Sequence, residues 1–102
     1  MDLRFGGKTI IVTGAGSGIG AATAEELAAS GATVIVADRD RANADSIVTS
    51  ILGKGGKAHA CTVDVAKAAE VEAMVNFAVE TTGALHGIVN NAGIGGPSAP
   101  TG

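Results

Sequence analysis

The residues best placed for chemistry lie between Lys8 and Gly20, in the run KTIIVTGAGSGIG. Gly14, Gly16, Gly18 and Gly20 occupy every second position after an apolar, β-branched stretch. Glycines let a backbone turn sharply and approach a ligand where a Cβ would collide. From about Ser17 the pattern turns helical, which aims free N–H groups and the positive end of a helix dipole at that turn. Such a turn suits a pyrophosphate. The other reading is a tight strand-to-helix turn that holds no ligand. The spacing excludes two common phosphate loops. No Gly-Lys pair follows any of these glycines at Walker A spacing, and Ile19 and Ala21 stand where G-x-G-x-x-G needs its third glycine.

A second candidate is Asp38, 18 residues beyond Gly20. An acid at the end of the second strand can accept hydrogen bonds from the hydroxyls of an adenosine ribose. It also repels a 2′-phosphate, which favours NAD over NADP. Arg39 pulls the other way, since a guanidinium can pair with a 2′-phosphate or stack on adenine. Asp38 has an alternative use as a helix N-cap, for which Asp40 competes.

The elements that must position these residues alternate between strand and helix, the pattern of a parallel α/β sheet. Thr9–Thr13, Thr33–Ala37, Ala58–Val63 and a fourth run through Gly87–Asn90 read as strands. Helical stripes connect them. Ile19, Ala22, Thr23, Glu26 and Leu27 form the first, with Gly31 as its C-cap; Ala44, Ile47, Val48, Ile51 and Leu52 form the second, stopped by Gly53. Val71, Met74, Val75, Ala78 and Val79 form the third, ended by Gly83, and all three stripes read as core faces. Right-handed crossovers order the strands 3-2-1-4. The glycine loop, Asp38, Asp64-Val65 and Asn90–Gly93 then share the carboxyl edge of the sheet, where open α/β sheets bind ligands.

T-G-x-x-x-G-x-G from Thr13 to Gly20, followed by Asp38, Asp64-Val65 and the run Ile88-Val89-Asn90-Asn91-Ala92-Gly93, resembles the short-chain dehydrogenase/reductase family. The resemblance implies a Rossmann-like doubly wound sheet, here a partial one of four strands. It also implies NAD-dependent hydride transfer between nicotinamide and an alcohol or carbonyl. In that family the Asp at position 64 bonds the adenine amino group with help from the backbone of Val65. The asparagines brace the sheet and meet the cofactor riboses, and Ala92 and Gly93 allow close backbone approach. The plain alternatives are an N-cap at Asp64 for a helix starting near Ala66, and an Asn-rich turn after the fourth strand. The expected cofactor-binding set is Gly14, Gly16, Ser17, Gly18, Ile19, Gly20, Asp38, Arg39, Asp64, Val65, Asn90, Asn91, Ala92 and Gly93. The family's catalytic serine, tyrosine and lysine lie on later elements. This chain has no tyrosine, so no catalytic residue is assigned and the chain alone is expected to be inactive. A non-catalytic dinucleotide-binding or self-associating module is the alternative.

The 102 residues make one domain, read as a dinucleotide-binding half domain over 1–94 and a mobile loop over 95–102. Apolar residues make up 46%, but Phe5 and Phe77 are the only aromatics, so the core is built from small side chains. A net charge of −3 leaves no basic footprint for nucleic acid. Neither a membrane span nor a signal peptide is legible. The lone Cys61 suits a reducing cytoplasm and reads as a buried, inert thiol. His59 and His86 lack a metal-like partner spacing, and Lys54 and Lys57 flank a solvated turn. The fourth strand is an apolar edge without proline or lysine, which predicts homo-oligomers or self-association through it.

Overall fold

A computed structural model describes residues 4–16 and 18–91. Strand β1 (Thr9–Thr13) is buried at every position, as its unbroken apolar run requires. It lies between β2 (Thr33–Asp38) and β4 (Gly87–Asn90), and β2 in turn pairs with β3 (Lys57–Thr62). All pairs are parallel, and the order β3-β2-β1-β4 is the one expected. The connections are α1 (Gly18–Ala29), α2 (Arg41–Gly53) and α3 (Ala68–Thr82), giving a Rossmann-like α/β sheet.

The period of two along the strands divides the core between the two faces of the sheet. Ile10, Val12, Val34 and Val36 pack with Ala24 and Ala28 of α1 and with Ala44 and Ile51 of α2. Ile11, Ile35 and Ala37 pack with Met74 and Ala78 of α3. Full burial of a side chain such as Ile11 or Ile35 contributes about 1.5–3 kcal/mol. The amino edge is tied by side chains. Thr9 N–H donates to His86 Nδ1 and His86 N–H to the Thr9 carbonyl, both at 2.9 Å. Thr9 Oγ1 donates to Thr82 Oγ1 at 2.8 Å. Glu25 of α1 accepts from Ser50 Oγ (3.1 Å) and Lys54 Nζ, joining α1 to the end of α2.

Several elements differ from their sequence reading. The buried face of α1 is Gly20, Ala24 and Ala28, while Ile19 is 76% exposed and Ala22 and Glu26 face solvent. At Gly20 the cause is closeness to the glycine loop, since a Cβ there would collide with the Gly14 carbonyl oxygen. Leu52 and Val79, placed on core stripes, are 53% and 42% exposed. Gly53 is the last residue of α2 and Lys54 caps it, whereas Gly83 does cap α3, in a left-handed conformation (φ 91°). β3 starts and ends one residue earlier than read. Cys61 is half-buried rather than buried. The expected loop over 95–102 lies outside the described residues, so the boundary at 94 stays a reading of the sequence.

Candidate functional site

Strand register brings the motif residues to one edge. Thr13 pairs with Ala37 on one side and Asn90 on the other, and Asp38 pairs with Thr62. The chain leaves β1 through Gly14 (φ 62°) and enters α1 through Gly18 (φ 60°), both in the left-handed region that favours glycine. At Gly20 a Cβ would collide with the Gly14 carbonyl oxygen and stand 2.8 Å from its carbon. The loop therefore lies directly on the first turn of α1. That turn's N–H groups have no carbonyl of their own helix to bond, so they are donors for an anion. Ser17 falls outside the described residues, as do Ala92 and Gly93.

Asp38 holds this loop from the side. Its Oδ2 accepts from Gly16 N–H at 2.8 Å and its Oδ1 from Asp40 N–H at 2.9 Å. The helix cap that competed for Asp38 is Asp40, whose Oδ1 accepts from Asn43 N–H at 3.2 Å at the start of α2. Arg39 is exposed beside it.

Asp64 is not the N-cap of α3. That helix begins at Ala68, with Lys67 as its N-cap and no capping side-chain bond. Asp64 Oδ1 instead accepts from Ala66 N–H (3.0 Å), an Asx turn that keeps the chain out of helix for two more residues. The Glu70 carboxylate accepts from Asp64 N–H at 2.8 Å and so braces this turn from α3. Val63 N–H donates to the Asp38 carbonyl, which sets the turn against the end of β2. Val65 packs half-buried on the α3 side of the sheet.

On the other flank the functional group that the sequence reading passed over is the Thr13 hydroxyl. It donates to Asn90 Oδ1 at 2.9 Å and accepts from Asn91 N–H at 3.0 Å, locking the end of β1 to the end of β4. Its signal was its place as first residue of the T-G-x-x-x-G-x-G run. Asn91 Nδ2 is buried without a hydrogen-bond partner among the described residues. The arrangement offers N–H donors for an anion at the loop, carboxylate acceptors for hydroxyl or amino groups at Asp38 and Asp64, and a buried amide donor at Asn91. Among the described residues there is no group of three or more His, Cys, Asp or Glu side chains that could hold a metal ion. No described helix is long and apolar enough to cross a membrane.

The family model described as short chain dehydrogenase matches residues 8–101. The chain belongs to the short-chain dehydrogenase family. It is 43% identical over 96 residues to 7alpha-hydroxysteroid dehydrogenase of Escherichia coli K12, covering 94% of itself and 38% of that protein. With cyclohexanol dehydrogenase of Acinetobacter sp. strain SE19 it shares 46% identity, over 92% of itself and 38% of the relative. Among solved structures, hydroxysteroid dehydrogenase from Escherichia coli superposes with a TM-score of 0.88 at 43% identity, over 93% of this chain and 40% of that one. A 7 alpha-hydroxysteroid dehydrogenase complexed with NADH and 7-oxo glycochenodeoxycholic acid superposes at 0.84 with 39% identity, over 87% of this chain and 35% of that one. The chain thus spans about two fifths of the length of these relatives.

Proposed function

We propose that the chain is the dinucleotide-binding portion of an NAD-dependent oxidoreductase acting on an alcohol–carbonyl pair. The observation that carries the reading is the meeting of the glycine loop with the Asp38 carboxylate, 2.8 Å from Gly16 N to Oδ2, on the carboxyl edge of the sheet. The residues fit the cofactor in a further respect: Asn91 Nδ2 is a buried donor with no partner among the described residues, and a bound ribose would supply an acceptor. Gly14, Gly16, Ser17, Gly18, Ile19 and Gly20 would hold the pyrophosphate, Asp38 and Arg39 the adenosine ribose, and Asp64 and Val65 the adenine. Asn90, Asn91, Ala92 and Gly93 would meet the second ribose.

When bound, the nicotinamide supplies the hydride acceptor or donor. The chain's own contribution is to bind and orient that cofactor. Asp38 disfavours a 2′-phosphate by charge, which supports NAD over NADP. The relatives named for a hydroxysteroid and for cyclohexanol support an alcohol as substrate. With no tyrosine in the sequence to act as the family's acid–base group, the chain alone is proposed to bind without turnover, in the reducing cytoplasm that a lone Cys61 suits. Among the described residues no strand pairs with the outer flank of β4, where Ile88 is 48% exposed, and this supports self-association.

Titration of the full chain with NAD and NADP by calorimetry tests the reading. Saturable NAD binding, weaker NADP binding and a loss of NAD affinity in Asp38→Ala are expected. A folded, monodisperse sample that binds neither nucleotide refutes it, and tighter binding of NADP refutes the assigned preference.

A further inference from the structure

Recognition of a ribose does not require the bond that Asp38 makes to the glycine loop. Gly16 N–H and Asp38 Oδ2 are 22 positions apart in sequence and 2.8 Å apart in space. One residue earlier, Ala15 N–H donates to the Ala37 carbonyl at 3.0 Å. Two consecutive N–H groups of the loop are therefore held by the end of β2, one by a neutral carbonyl and one by a charge. The space beside Gly16 is closed as well. A Cβ there would stand 2.6 Å from Asn43 Cβ and 2.8 Å from Asp38 Oδ2. The loop, the end of β2 and the first turn of α2 thus converge on one peptide. The other carboxylate oxygen is fixed by Asp40 N–H at 2.9 Å, so the group that holds Gly16 is itself oriented.

We propose that Asp38 is a latch for the glycine loop: a positioning residue for the pyrophosphate, acting through Gly16, in addition to being an acceptor for the ribose. This inference rests on the dinucleotide reading above. An ionised carboxylate has about four acceptor sites; two serve the backbone here and two remain for sugar hydroxyls. A charge-assisted N–H···O⁻ bond is roughly twice as strong as a neutral one, so of the two bonds that hold the loop the one to Asp38 is the stronger. The loop's affinity for phosphate then depends on a side chain that phosphate does not touch.

Electrostatics alone makes a different forecast. Removing a negative charge beside an anion site strengthens anion binding, and equally so for any neutral replacement. The latch separates two neutral replacements, because Asn keeps an oxygen for Gly16 N–H and Ala keeps none.

The experiment measures two quantities on the 15N-labelled full chain, its Asp38→Asn variant and its Asp38→Ala variant. One is hydrogen exchange at the Gly16 amide without ligand; the other is affinity for inorganic pyrophosphate. Exchange at Gly16 should be slowest in the native chain, intermediate in Asp38→Asn and at least about tenfold faster than native in Asp38→Ala. Pyrophosphate should bind about threefold or more tightly to Asp38→Asn than to Asp38→Ala. Equal exchange in all three chains, or measurable pyrophosphate binding that is equally tight in the two variants, overturns the latch. If Asp38→Ala fails to fold, Asp38→Asn decides. Its Gly16 amide should exchange faster than in the native chain, and equal exchange in those two chains overturns the proposal. A chain that binds no pyrophosphate yet keeps the Gly16 exchange order retains the latch and sinks the cofactor reading instead.

Discussion

Replacing Gly20 by alanine puts a methyl group into the contact between α1 and the glycine loop. The new Cβ would stand 2.8 Å from the Gly14 carbonyl carbon and 3.1 Å from Ala15 Cα, besides colliding with the Gly14 oxygen. Ordinary carbon–carbon contact lies near 3.5–4.0 Å, so helix and loop must separate by about 1 Å. Every obstructing atom is backbone, which cannot rotate away, and overpacking of this kind costs up to about 3 kcal/mol. Alanine returns about 1 kcal/mol through its better helix propensity. The net expectation is a loss of about 2 kcal/mol, close to thirtyfold in the folding equilibrium. With a urea dependence near 2 kcal/mol per molar, the unfolding midpoint should fall by about 1 M at unchanged slope. Gly53→Ala is the matched control: its Cβ would meet nothing within 4 Å and its φ is not left-handed. That variant should be as stable as the native chain or up to about 1 kcal/mol more so. Urea unfolding followed by circular dichroism reads both. A Gly20→Ala chain with a native midpoint would refute the close approach of α1 to the loop as the reason for glycine at position 20.

Hydrogen bonds from Lys54 and Ser50 lower the Glu25 pKa below its usual 4.5. Their stabilisation is therefore fully present above that value and lost as pH falls through the lowered one. The stability gap between the native chain and Lys54→Met should be measurable at pH 7 and shrink as acid protonates Glu25; a gap that persists in acid would refute the pairing. His86→Ala leaves the buried Thr9 N–H without its acceptor and should cost about 1–3 kcal/mol in thermal or urea unfolding. An unchanged stability would show that solvent replaces the imidazole. Burial pushes the Cys61 thiol pKa up, with Arg41 opposing weakly. Alkylation at pH 8 should accordingly run several-fold slower in the folded chain than in urea, and equal rates would refute the shielding.

Strand order and the carboxyl-edge clustering of the motifs were legible because β1 and β2 announce burial on both faces through continuous Val and Ile runs. The crossover rule then leaves little choice of topology. The face of α1 was not legible. A search for recurring large apolar residues selects Ile19 and Leu27, whereas a helix lying close against backbone buries Gly20, Ala24 and Ala28. At Asp64 the sequence offered a cap, but the Asx turn to Ala66 delays α3 until Ala68. Local composition does not distinguish those two uses of an aspartate. The bonds from Asp38 to Gly16 and from Thr13 to Asn90 exist only once β2 and β4 dock beside β1, so no local window contains them.

The central place of β1 has a consequence in time. Ile10 pairs with Val34, 24 positions later, and with Gly87, 77 positions later. Contacts at such different separations close at different rates. A chain leaving the ribosome exposes the partners on the β2 and β3 side by residue 62, but completes β4 only at residue 90. At about 5–20 residues per second the interval is roughly 1–6 s. The loop and its carboxylate can therefore meet first, while the Thr13 hydroxyl still waits for its asparagine. The candidate site matures in two instalments, and through the gap β1, buried at every position in the finished fold, has its β4 flank unpaired.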